Sequence, residues 1–209
     1  MQSNEVGTRK LRTRKELLRA AARLIKEGAS PTLEDVAREA LVSRATVYRY
    51  FSSIDELLVE APIDEAVPDA SQLFASDDVS TPEERIDRAE SVMHRTVYEN
   101  EMVLRHMLSH SITRAIRQEG SAKDPVRQNR RTAYIDEALA PHRKKFDPKT
   151  YSKLRSSLAL IFGTESMIVC RDVLALPQDE AREVKSWAVR VLVRAAMEES
   201  NKSKKSKRK

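Results

Sequence analysis

Ser43-Arg44-Ala45-Thr46, followed after Val47 by Tyr48-Arg49-Tyr50, concentrates side chains suited to hydrogen bonding with nucleic acid in eight positions. An arginine fork matches the O6/N7 edge of guanine. A threonine hydroxyl donates or accepts, and its methyl fits against that of thymine. Alanine permits close approach, and tyrosine hydroxyls reach phosphate oxygens. Such chemistry requires a short helix that enters a groove with its first turn foremost, and a second element that braces it.

The flanking residues meet both needs. Leu33, Val36, Ala37 and Ala40 recur at helical spacing and then stop, and Val42, Val47 and Phe51 resume in another phase. Helices this short are unstable alone, so they must brace one another. Thr32 with Asp35 is placed to cap the first short helix and Ser43 the second. Ser53 with Glu56 forms a box that opens a third helix at Ile54. Helix N-termini offer backbone N–H groups to phosphate, which adds Thr32 and Ser53 to the candidate contacts. Val47 and Phe51 should point inward. A small structural αα-corner is the competing reading of these residues, and the Arg/Tyr content favours a helix-turn-helix nucleic-acid reader.

These residues resemble the DNA-binding segment of the tetracycline-repressor (TetR) family. The pattern I-A-x-x-A-G-V-S-x-G-T-x-Y-x-x-F-x-x-K-x-x-L is met here by Val36-Ala37, Ala40, Val42-Ser43, Thr46, Tyr48, Phe51 and Leu57. Upstream, Leu17 to Ala21, Leu24-Ile25 and Gly28 resemble the family's first helix. The likeness is specific over about residues 10 to 60 and only architectural beyond. Leu41 stands where the family has its turn glycine, so a left-handed backbone there would cost about 1 kcal/mol. Ile54 stands where a phosphate-touching lysine is usual, which leaves that contact to the backbone N–H groups near Ser53.

The resemblance implies an all-α protein with a helix-turn-helix DNA-binding domain over 8–60. A helical effector-binding and dimerisation domain follows over 61–199, and then a tail over 200–209. It implies a transcriptional regulator, usually a ligand-responsive repressor, that binds a palindromic double-stranded DNA operator as a homodimer. Thr32, Ser43, Arg44, Ala45, Thr46, Tyr48, Arg49, Tyr50 and Ser53 are then the DNA-contact set. Dimerisation through the last two helices, about 148–174 and 179–199, and a bacterial cytoplasmic location follow from the same likeness. Effector binding would shift the helix that starts at Ser53 and change the separation of the paired readers.

Composition agrees. The chain has 209 residues, 40% of them hydrophobic, with four glycines and no convincing alternating runs, which reads as all-α. No apolar run approaches membrane-spanning length and no signal-peptide pattern opens the chain, so neither a membrane nor an export role is expected. A single cysteine fits a reducing compartment. Positive charge concentrates in residues 6–50 and after Asn201, while the body between is acidic. Arg9, Lys10, Arg12, Arg14 and Lys15 ahead of the first helix suit phosphate tracking or a minor groove. The tail, NKSKKSKRK, should be disordered alone and add salt-sensitive DNA affinity. A non-specific architectural DNA-binding protein is the alternative function. No nucleophile–base pair, metal signature or phosphate-binding glycine loop suggests an enzyme, and no cofactor is expected.

Pro62 should end or kink the third helix, leaving a broken linker with Pro68 and Ser76 to Asp78 as far as Thr81. Thr81-Pro82-Glu83-Glu84 should start a helix to about Tyr98. Asn100 should cap the next, with Val103, Leu104, Met107, Leu108, Ser111 and Ile112 buried and an end near Gly120. Asp124-Pro125 opens another to about Leu139. Asp147-Pro148 should cap a long helix to about Leu174. Asp179 to Glu199 forms the last, with Val184, Ala188, Val191, Leu192 and Ala195 inward. An effector pocket between helices would draw on Met93, Val97, Leu104, Met107, Leu108, Tyr134 and Phe162, each also an ordinary core candidate. Arginines 85, 88, 95, 105 and 114 would favour an anionic effector. His94, His106 and His110 lack a completing Cys or carboxylate at metal-binding spacing. Cys170 reads as a buried thiol.

Overall fold

A computed structural model describes residues 2–51, 53–66, 69–75, 80–116 and 130–206, and among these every regular element is helical. Two compact units emerge: Met1–Val67 with His106–Gln128, and Pro68–Arg105 with Asn129–Lys209.

In the first unit, α1 (Gln2–Lys26), α2 (Leu33–Glu39), α3 (Arg44–Tyr50) and α4 (Ile54–Ala66) share one core. Leu17, Leu18, Ala20 and Ala21 of α1 meet Leu33, Val36 and Ala37 of α2, and Val47, Phe51, Leu57 and Ala61 complete it. The stripe on α1 has the i, i+3, i+4 spacing that puts these side chains on one face. Two expectations are corrected. Arg9 to Lys15 do not precede the first helix but lie within α1. Pro62 does not end its helix either: α4 runs through it to Ala66. A proline there removes one backbone hydrogen bond and crowds the carbonyl four residues back, and the helix continues despite both.

The second unit is built on α6 (Pro82–Glu99), α9 (Pro148–Ile161) and α11 (Gln178–Ser206), preceded by the short α5 (Ala70–Leu73). α7 (Glu101–Ile116) begins in this unit, and its residues from His106 onward group with the first. α8 (Arg130–Leu139), a 3₁₀ segment (Ala140–Lys145), α10 (Thr164–Ile168) and a π-helical segment (Val169–Val173) fill the rest. Thr81 caps α6 with a complete capping box to Glu84 and proline in the first turn, as expected. The segment 62–81 is less of a linker than its composition suggests, since α4 extends into it and Asp69 caps α5. Asn100 stands between two helices: its Nδ2 donates to the Thr96 carbonyl and closes α6, and its own carbonyl accepts from the Leu104 N–H in the first turn of the next helix. Val103 and Ile112 of the expected α7 stripe are exposed, and Leu104, Met107, Leu108 and Ser111 are half-buried. Expectations at Pro68, Ser76 to Asp78, Gly120 and Asp124-Pro125 lie outside the described residues.

The expected single helix from Asp147 to Leu174 is broken. Asp147 caps it as anticipated, accepting from Lys149 and Thr150 N–H, but the helix stops at Phe162-Gly163. Gly163 has φ +101°, a backbone that side chains rarely adopt. The Arg131 guanidinium sits where a Cβ would go, at 2.8 Å, while donating to the Ala159 carbonyl and the Glu165 carboxylate.

The expected inner face of the last helix is corrected too. Ala181, Lys185, Val189, Val193, Ala196 and Ser200 are buried, whereas Val184 and Ala195 are exposed and Ala188, Val191 and Leu192 half-buried. α11 also continues through Ser206 rather than giving way to a disordered tail at residue 200. Ser200 bonds Asp147, and Lys204 Nζ donates to the Lys144 and Lys145 carbonyls. Lys207 to Lys209 lie outside the described residues.

Candidate nucleic-acid interface

The turn between α2 and α3 is closed by the Val42 N–H donating to the Ala37 carbonyl at 2.9 Å and by a left-handed Leu41, φ +56°. The Leu41 side chain is 93% exposed, so it contributes no packing in return for the strain. Thr32 forms a full capping box on α2. Its hydroxyl donates to Asp35 Oδ2 at 2.7 Å and accepts from the Asp35 N–H at 3.2 Å, and its own N–H donates to the same carboxylate. These donors hold the Asp35 carboxyl below its usual range. Ser43 caps α3, accepting from the Thr46 N–H at 3.2 Å and lying 2.9 Å from the Thr46 hydroxyl. Ser53 accepts from the Glu56 N–H.

α3 is anchored by one face and open on the other. Val47 and Phe51 are fully buried, as expected. Ser43, Arg44, Ala45, Tyr48 and Arg49 are exposed and Thr46 and Tyr50 half-buried. Glu34 of α2 stands 3.7 Å from Arg44 Nε, a distance at which an exposed pair restrains the guanidinium only weakly. The Arg49 guanidinium lies over the Tyr50 ring at 5.5 Å. At the far end of α3 a residue expected to track phosphate does something else. Arg14 donates from Nη1 to the Tyr50 carbonyl at 2.8 Å, pairs with the buried Glu60 of α4 and covers the Phe51 ring at 4.2 Å. Arg12 pairs with Glu16 within α1. The positioning role of Arg14 had no local signal: its partners are 36 and 46 residues away.

Residues 17–61 match the family described as bacterial regulatory proteins, tetR family. The chain carries a tetR-family domain. The match covers α1 from Leu17, the brace α2, the exposed α3 and α4 to Ala61. What the tetR domain implies is a DNA-binding transcriptional regulator. No curated protein and no solved structure matches the chain.

The seven residues expected to line an effector pocket do not fall in one unit. Met93, Val97, Tyr134 and Phe162 are buried in the second unit, with Leu104 half-buried there. Met107 and Leu108, both half-buried, lie on the part of α7 grouped with the first. No described helix is long and apolar enough to cross a membrane.

Proposed function

We propose that this protein is a sequence-specific, ligand-responsive transcriptional repressor that binds a palindromic operator as a homodimer in the bacterial cytoplasm, associated with the nucleoid when on DNA. The observation that carries it is the two-faced α3, with Val47 and Phe51 locked in the core and Arg44, Ala45, Tyr48 and Arg49 presented together to solvent. In this reading Arg44 and Thr46 read bases, with Ala45 allowing close approach. Tyr48, Arg49 and Tyr50 hold phosphates, and Thr32, Ser43 and Ser53 orient backbone N–H groups toward the DNA strands. One such helix spans few base pairs. Two-fold pairing places a second in the next half-site, about one DNA turn away.

Self-association has support in the second unit. Leu160 of α9, Val173 and Leu174 after it, and Val184 and Trp187 of α11 are large apolar side chains left exposed. Trp187 is 67% and Leu160 77% exposed, on two helices that pack against each other. A dimer through α9 and α11 buries them. Effector binding in the body would move α4 and change the spacing of the paired α3 helices.

Selection of bound fragments from random DNA, followed by titration against a scrambled duplex across salt, tests the reading. A palindromic site favoured at least about 1,000-fold supports it. Equal binding to both duplexes with a steep salt dependence makes the protein a non-specific architectural DNA binder instead.

A further inference from the structure

Glu90, His94 and Tyr98 stand one turn apart on one face of α6, and all three are buried. α11 faces them with Arg182, Lys185 and Arg190. Lys185 Nζ lies 2.6 Å from Glu90 Oε1 and 3.3 Å from His94 Nδ1. Arg182 Nη1 reaches Glu90 Oε2 at 3.2 Å, and Arg182 and Arg190 both pair with Asp87. The Glu90 oxygens are thus held by charge, although neither contact has good hydrogen-bond angles. The Cys170 thiol of the π-helical segment lies within electrostatic reach of Tyr98, Glu90 and Lys185. π turns of this kind recur at functional sites.

Lysine donates and never accepts, so His94 Nδ1 must be the acceptor and the ring proton sits on Nε2. Desolvation, with Lys185 and Arg182 close by, pushes the His94 pKa down to about 4 against a small opposing pull from the Gln178 backbone, so the ring stays neutral. The Tyr98 hydroxyl has no hydrogen-bond partner and the His94 Nε2–H none of good geometry, the Gln178 backbone pulling only weakly on the ring, yet His94 is 4% and Tyr98 9% exposed. The rings stack with centroids 4.3 Å apart. Arg190 Nε is unpartnered on the same seam. Three cations here, Arg182, Lys185 and Arg190, meet two carboxylates, Asp87 and Glu90. Orphaned buried donors are unfavourable, and a partner rich in acceptors relieves them, while its negative charge is met by the surplus cation of the cluster.

We propose that the α6–α11 seam at His94 and Tyr98 binds a small organic carboxylate, whose oxygens accept from His94 Nε2–H and the Tyr98 hydroxyl beside Lys185. As an effector site it rests on the ligand-responsive reading above, and it gives that reading a ligand class. The apolar part of the ligand meets Met93 and Val97 of α6 and Met167 of α10, all three buried.

The test is calorimetric titration and thermal melting of the full chain with benzoate and hexanoate, against benzamide and hexanamide as uncharged controls. At least one carboxylate binds and raises Tm, and its amide does not. Tyr98→Phe leaves the unliganded Tm unchanged or higher, because its hydroxyl has no partner to lose, and weakens carboxylate binding at least about tenfold. His94→Gln, which keeps an N–H near the Nε2 position, binds better than His94→Phe. The proposal is overturned if neither carboxylate raises Tm, or if Tyr98→Phe binds as tightly as the wild type. DNA affinity measured on the same samples separates the two ideas. A carboxylate that binds here without changing DNA affinity leaves the site standing and removes the switch.

Discussion

Arg14 and Glu60 meet as a forked pair that ties α1 to α4, and the remaining Arg14 nitrogen closes the end of α3 through the Tyr50 carbonyl. The orientation of the candidate reading helix is therefore set from behind by a guanidinium that need not touch DNA. Glu60 is 3% exposed, so removing the guanidinium takes the forked partner from a buried carboxylate. Arg14→Ala should destabilise the protein by about 3 kcal/mol in urea melts, and Arg14→Lys should restore little because an ammonium lacks the fork. A loss within about 0.5 kcal/mol would mean the pair is an ordinary surface contact.

Leu41→Gly should raise stability by about 1 kcal/mol, because the left-handed turn is strained for leucine and the exposed side chain contributes no packing. Thermal melts of the two proteins compare them directly. A lower Tm for the glycine variant would show that the unfolded-chain entropy of glycine outweighs the relieved strain.

The reading domain was legible because its signals are local. Thr32, Ser43 and Ser53 each bond a backbone N–H three residues on, and the inward positions of α2 and α3 follow short-range periodicity. What escaped reading depends on distant partners. Arg14 looked like one more basic residue, since nothing near it announces Glu60. On α11 two apolar stripes run side by side, one with Ala181, Val189 and Val193, the other with Val184, Trp187 and Val191. Periodicity cannot say which faces its own chain, and Lys185, which the pattern marks as solvent-facing, is buried against Glu90. The break at Gly163 left no mark in the periodicity, because a positive φ has no apolar pattern and its neighbour Arg131 lies on another helix.

Gly163→Ala should cost about 2 kcal/mol, combining a strained φ with a Cβ 2.8 Å from Arg131 Nη2. The arginine end can yield, so the double variant with Arg131→Ala should recover part of the loss. Urea melts of both variants measure it. No change for the single variant would indicate that the break between α9 and α10 heals into one helix.

His94 gives a pH signature. Its folded pKa of about 4 lies below the ordinary value of 6.5, so the unfolded chain takes up the proton first. The stability this neutral ring contributes is present above pH 6.5 and is lost as pH falls toward 4, to an extent on the order of 3 kcal/mol. The difference in unfolding free energy between wild type and His94→Gln should drift against the wild type across that window. A pH-independent difference would mean the histidine titrates normally.

Arg44 decides the central claim. Binding of wild type and Arg44→Ala should be compared on the selected operator, on each single-base variant of one half-site, and on scrambled DNA. The account predicts that Arg44→Ala costs about 1–3 kcal/mol on the operator and erases the preference at one base pair, with little change on scrambled DNA. An equal loss on every duplex, with the base preferences intact, would contradict a reading role for the exposed face of α3.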